Sequence, residues 1–171
     1  MKGLETDEIF LRELKKGHNW QLWVGYLLLK EGFAVRVSSL ATRPDHDSID
    51  LYGDDGDVKV TFPGKTVVLE VKSRNLYFTS IDDYPYQTAF VDRVNTWRRK
   101  VDNKPVAICL VSQPTGAIVV VPTSSESSWL VETVRDRVRE YDRDYYLVNK
   151  ICLARWESLL TWLKKQGGGQ E

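Results

Sequence analysis

The chain has 171 residues, enough for one domain with a single good core. It is 42% hydrophobic and 28% charged, and its 24 basic and 24 acidic residues give a formal net charge of zero. That balance excludes the strongly basic class of nucleic-acid binders, so any nucleic-acid surface must be a local patch.

Residues 5–32 read as helix. Leu11, Leu14, Trp20, Trp23, Val24, Leu27 and Leu28 recur at helical spacing, Gly17-His18-Asn19 is a potential break, and Gly32 is the stop. Residues 33–38 (FAVRVS) alternate as a strand, 40–47 form a polar loop, and 48–52 read as a short strand before the turn signal GDDG. Next comes DVKVTFPGKTVVLEVK, a tight hairpin turning at Pro63-Gly64, where Pro presets φ and Gly accepts positive φ. Strand alternation puts Glu70 and Lys72 on one face and Leu69 and Val71 on the other, and folding about the turn brings Asp57 opposite Glu70.

Residues 74–85 read as an aromatic loop. Residues 86–100 read as a helix with Ala89, Phe90, Val94 and Trp97 on one side. The runs VAICLVS (106–112) and AIVVV (117–121) read as buried strands. Ser127 or Ser128 is placed to cap a helix reaching about Tyr141, with Leu130, Val134 and Val138 as its buried stripe. A short strand at 145–148, a last helix at 155–165 and a glycine-rich tail complete the chain. The expected order is α-β-β-β-α-β-β-α-β-α. This is the α/β class, a mixed central sheet flanked by helices, in a single domain over residues 1–165 with a flexible tail at 166–171.

Cys109 and Cys152 lie in apolar segments and read as buried thiols of a reducing compartment rather than a disulfide. No apolar run reaches the roughly 18 residues that span a bilayer, and MKGLETDEIFLREL has no signal-peptide pattern. The expectation is a cytoplasmic protein with no membrane partner. His18 and His46 read as packing or loop residues, and no spacing suits zinc.

Helix, strand, acid-bearing strand, Glu-x-Lys strand, helix, strand: this order resembles the core of the PD-(D/E)xK, or restriction-endonuclease-like, nuclease superfamily. The matching residues are Asp57, Glu70 and Lys72, and the likeness covers about residues 17–121. DDGDVKV, FTSIDDYPY and the later SSW resemble phage-encoded members. The resemblance implies a restriction-endonuclease-like core and a metal-dependent nuclease hydrolysing phosphodiester bonds in DNA, an endonuclease foremost. Asp57, Glu70 and the backbone carbonyl of Val71 would hold Mg²⁺ or Mn²⁺, ions suited to hard oxygen ligands. Lys72 would hold the attacking water and offset charge on the phosphate.

Asp50 and Asp55 stay open as alternatives to Asp57 for the motif acid. Many members carry a Glu on the first helix where this chain has Gln21, a poorer ligand, which points to one ion rather than two. Tyr86-Gln87 resembles a glutamine motif of some exonuclease branches. Members of this class often dimerise, which makes a homodimer compatible with the reading. Arg93, Arg98, Arg99, Lys100 and Lys104 form the better phosphate-contact cluster, with Arg98 and Arg99 as the nucleic-acid-binding candidates. Arg135, Arg137, Arg139 and Arg143 interleave with acids and read as a solvated ion-pair face. The alternative for the whole chain is a catalytically inactive relative that binds DNA or protein. For Glu70 and Lys72 alone it is a charged sheet face with cross-strand pairs.

Overall fold

A computed structural model describes residues 2–38, 57–136 and 140–168. The expected strand at 48–52 and the alternative acids Asp50 and Asp55 lie outside the described residues. Helix α1 spans Lys2–Lys30 without a break. Gly17 costs an isolated helix about 1 kcal/mol relative to alanine, and packing of Val24 and Leu28, both fully buried, offsets it. The helix stops as its sequence directs. Gly32 sits at φ +90°, its N–H donates to the Leu29 carbonyl, and the Phe33 N–H donates to that of Leu28. This closes a left-handed C-terminal cap that glycine permits. Gly25 has a different reason: a Cβ there would lie 2.6 Å from Val37 Cγ2. Its absence lets α1 press against strand β1 (Ala34–Val37).

The hairpin forms at its expected turn. Strand β2 (Val58–Phe62) pairs antiparallel with β3 (Lys65–Arg74), Phe62 stands opposite Lys65, and Gly64 takes φ +78°. Strand β3 then pairs in parallel with β5 (Ala107–Ser112), which is buried along its whole length as its unbroken apolar run requires. Strand β6 (Ile118–Pro122) and the two-residue β9 (Ala154–Arg155) complete a six-stranded mixed sheet of order β1-β2-β3-β5-β6-β9.

Two expected helices are strands, and both corrections concern the same face of the sheet. Residues 86–100 divide into strand β4 (Thr88–Arg93) and the short helix α2 (Val94–Arg98). Ala89 and Val91 point inward while Phe90 is exposed, so the local period is two, not 3.6. The segment expected to be a helix from Ser127 or Ser128 is strand β7 (Leu130–Asp136), paired antiparallel with β8 (Tyr141–Asn149). Val131, Thr133 and Val134 are β-branched and favour the extended form. The acids and bases that looked like helix-face pairs act across strands: Arg135 pairs with Asp142, and Asp144 accepts from the Thr133 hydroxyl. Leu130, expected in a buried stripe, is exposed, and Ser127 and Ser128 belong to a 3-10 helix over Thr123–Ser128.

These strands form a second sheet, β4-β8-β7. The result is three layers. On one face of the main sheet, Val24 and Leu28 of α1 and Leu159, Leu160 and Leu163 of helix α3 (Trp156–Gln166) pack on Val58, Val60, Leu69, Cys109 and Val120. On the other, Phe78, Ala89, Val91, Trp97, Trp129 and Val148 pack on Ile108, Leu110, Val119 and Val121. The mixed sheet of the expectation is present, but helices line one face and a small sheet the other. No described helix is long and apolar enough to cross a membrane.

Candidate active site

Strand β3 carries Glu70 and Lys72 on the face that looks toward the small sheet. Glu70 is buried against two ammonium groups. Its Oε1 pairs with Lys72 Nζ at 2.8 Å and its Oε2 with Lys100 Nζ at 2.9 Å. Lys72 pairs in turn with Asp92 Oδ1 at 3.2 Å. The side chains of Glu70, Asp92 and Lys100 are 5%, 6% and 9% exposed and that of Lys72 is 22%, so the set is a buried, charge-balanced quartet rather than a solvated strand face.

Each member is delivered by a different local cause. Glu70 and Lys72 share a face through strand alternation. Asp92 follows Val91, and both are buried, which regular alternation forbids. The register of β4 on β8 shifts between Phe90 and Asp92, and this bulge turns the carboxylate inward. Lys100 arrives from the end of α2, where its N–H donates to the Trp97 carbonyl. Asp92 Oδ1 also accepts from the Arg93 N–H at 2.8 Å, while its buried Oδ2 has no hydrogen-bond partner among the described residues.

Burial alone would lower the pKa of Lys72, but Glu70 and Asp92 outweigh burial and the neighbouring Lys100, and the net shift is upward. Lys72 therefore stays an ammonium at neutral pH. It can hold or stabilise negative charge; it cannot serve as a base.

Asp57 lies one residue before β2, and the Val58–Leu69 pairing places its backbone beside Glu70. Its carboxylate is held from two sides. Gln21 Nε2 of α1 donates to Oδ1 at 2.8 Å, and the Val71 N–H donates to Oδ2 at 2.7 Å. His18 Nδ1 is 3.3 Å from Gln21 Oε1 on the same helix. Gln21, at the first-helix position singled out in the sequence, thus orients Asp57. Asp57 also adds to the pKa of Cys109, which burial raises to about 12. Cys109 will resist alkylation in the folded protein and Cys152, which is partly exposed, will react. A thiol titration with a disulfide reagent before and after denaturation checks this: one fast thiol is expected natively and two after unfolding.

Asp57 and Glu70 each offer the hard oxygens a divalent cation takes. The expected placement on one face, however, is not seen: Asp57 is held from the α1 side, by Gln21 and near Cys109, while Glu70 faces the small sheet with Lys72 and Lys100. All four of their oxygens already bind ammonium or N–H groups, positively polarised partners of the kind a hard cation replaces. No group of three or more His, Cys, Asp or Glu side chains able to hold a metal occurs among the described residues; the expected set has two carboxylates and a carbonyl.

Arg98 and Arg99 are exposed at the end of α2, and Arg98 Nε lies 3.4 Å from Tyr146 Oη. Asp92 and the pairing role of Lys100 escaped the sequence reading. Both lie in the stretch read as one helix, and the one available signal was an acid with apolar neighbours in AFVDRV. No protein-family model and no curated protein matches the chain.

Proposed function

We propose that the protein is a metal-dependent nuclease that hydrolyses phosphodiester bonds in DNA, an endonuclease foremost, with a restriction-endonuclease-like core. The observation that carries this reading is Lys72 lying directly on the buried Glu70 carboxylate, with the pairing register setting the backbone of Asp57 beside that of Glu70. Asp57, Glu70 and the Val71 carbonyl would hold Mg²⁺ or Mn²⁺, which when bound would lower the pKa of water and offset charge on the phosphate.

The chain's own residues supply the rest. Gln21 and the Val71 N–H fix the direction of Asp57. Lys72, kept protonated by Glu70 and Asp92, orients the attacking water and stabilises negative charge that builds up on the phosphate. Arg98 and Arg99, exposed near the site, are candidates for backbone phosphates. The same reading makes the protein a cytoplasmic enzyme, and a homodimer would suit cutting of both strands.

A second reading has its own observation. Both oxygens of Glu70 are paired with lysines, as they would be in a catalytically inactive relative that keeps the quartet for stability and binds DNA or protein. Incubation with supercoiled, linear and branched DNA in Mg²⁺, Mn²⁺ or EDTA separates the two. Cleavage in either metal that EDTA stops is the expected result. Binding without cleavage in any condition overturns the nuclease in favour of the binding module.

A further inference from the structure

The face of the main sheet that carries Glu70 is packed by the small sheet over β5 and β6 and reached by its Asp92 at Lys72 of β3. Toward β1 and β2 it opens into a cleft of about 430 Å³. Pairing dictates its floor. Arg36 stands opposite Lys59, Lys59 opposite Val68, and Thr61 opposite Thr66. Val58 and Val60 belong to the helix-side core, so alternation turns Lys59 and Thr61 to the other side, the side of Glu70. One wall is the loop after Lys100, which brings Asp102, Asn103 and Lys104 to the rim.

The cleft lining therefore holds three cations, two threonine hydroxyls, an asparagine amide and one carboxylate. Lys104 is anchored by Glu126 and lies 5.4 Å from the Trp97 ring centroid, which fixes its position at the wall. Arg36 is exposed and forms no ion pair among the described residues. The floor leads directly to the quartet: Glu70 follows Val68 by two residues on the same strand face, about 7 Å along the strand. Lys100 both contacts Glu70 and begins the wall.

We infer that this cleft is a phosphate-binding channel that seats the backbone of a DNA strand and leads it to Glu70 and Lys72, with Arg36 and Lys59 as the principal contacts. The inference rests on the nuclease reading for its choice of DNA. The donor set itself is what backbone phosphates demand: guanidinium and ammonium groups for charge, hydroxyl and amide donors for the oxygens. Of the basic cluster that the sequence favoured, only Lys104 lines the cleft; Arg36 and Lys59 lie outside that cluster, and Arg98 and Arg99 are not part of the lining.

The test is binding of a fluorescein-labelled DNA duplex and single strand in EDTA, followed by anisotropy across a salt series. It compares wild type, Arg36→Gln, the Arg36→Gln/Lys59→Gln double variant, and Lys165→Gln on α3 as a control from the opposite face. Arg36→Gln serves if the double variant fails to fold. The double variant is expected to bind about tenfold or more weakly, as loss of charge-assisted contacts implies. The slope of log affinity against log salt should become shallower by roughly 2 for duplex DNA. Lys165→Gln should behave as wild type. Wild-type cleavage with unchanged binding in both cleft variants overturns the channel and leaves the nuclease standing. Binding of inorganic phosphate alone, with no DNA binding by wild type, also overturns it; absence of cleavage in that case sinks the nuclease reading as well.

Discussion

Glu70→Ala is expected to lower the free energy of unfolding by about 3–5 kcal/mol, the cost of breaking a buried ion pair from one side. The loss comes from what remains. Lys72 and Lys100 both direct their ammonium groups at Glu70 from positions with little solvent, and alanine leaves both without that partner. Asp92 can still neutralise Lys72; Lys100 loses its contact with Glu70. Adding Lys100→Met to Glu70→Ala should therefore recover part of the loss, because the second substitution removes the charge the first exposes. Urea unfolding of the two single variants and the double measures this as a coupling energy. Because the folded pKa of Lys72 is raised above the ordinary 10.5, its ion pairs contribute fully below that value. They are lost only as pH climbs through the higher folded pKa. The deficit should thus be constant around neutrality. Strictly additive single and double variants would show that Glu70 and Lys100 do not couple across their contact.

Lys72→Met should reduce DNA cleavage by about 10²–10⁴-fold, the range for a positioned group acting on the transition state, while Lys100→Met should leave cleavage within about tenfold of wild type. The two lysines make this a controlled comparison. They hold the same carboxylate at nearly the same distance, 2.8 and 2.9 Å, from opposite oxygens. A purely structural quartet would treat their loss alike. The proposed chemistry does not, because only Lys72 lies on β3 between Glu70 and Asp92. Single-turnover rates with excess enzyme measure the chemical step. Equal losses for both variants, tracking their losses in stability, would assign the quartet to folding rather than catalysis.

The parts of this molecule that could be read in advance are those whose signals are local. The β2–β3 hairpin follows from alternation on both strands and from a Pro-Gly turn, and its register brought Asp57 to the backbone position expected for it. The end of α1 followed from Gly32, and β5 from an apolar run flanked by polar residues. Strand β7 was misread because Leu130, Val134 and Val138 suit a helix and its acids and bases fall at helical intervals. What decides its state is a partner: β8 supplies cross-strand groups that no local window contains. Strand β4 failed for the same reason, and with it went Asp92. That carboxylate reaches Lys72 only because a bulge in β4 reverses its direction and because a second sheet exists to carry it. Lys100 was visible as a positive charge, but nothing in the sequence links it to an acid thirty residues earlier. Gln21 was legible as a position, and the bond it donates to Asp57 gives that position a role.

The central claim is that Glu70 takes part in metal-dependent hydrolysis of DNA. Its most direct test is conversion of supercoiled plasmid by wild type and by Glu70→Gln, side by side in Mg²⁺, in Mn²⁺ and in EDTA. Glutamine keeps the size and one oxygen of the side chain while removing the charge that would hold a cation. Nicked and linear products from wild type in metal, none in EDTA, and none from a folded Glu70→Gln variant is the predicted result. Equal cleavage by Glu70→Gln, or wild-type cleavage that persists in EDTA, would contradict it.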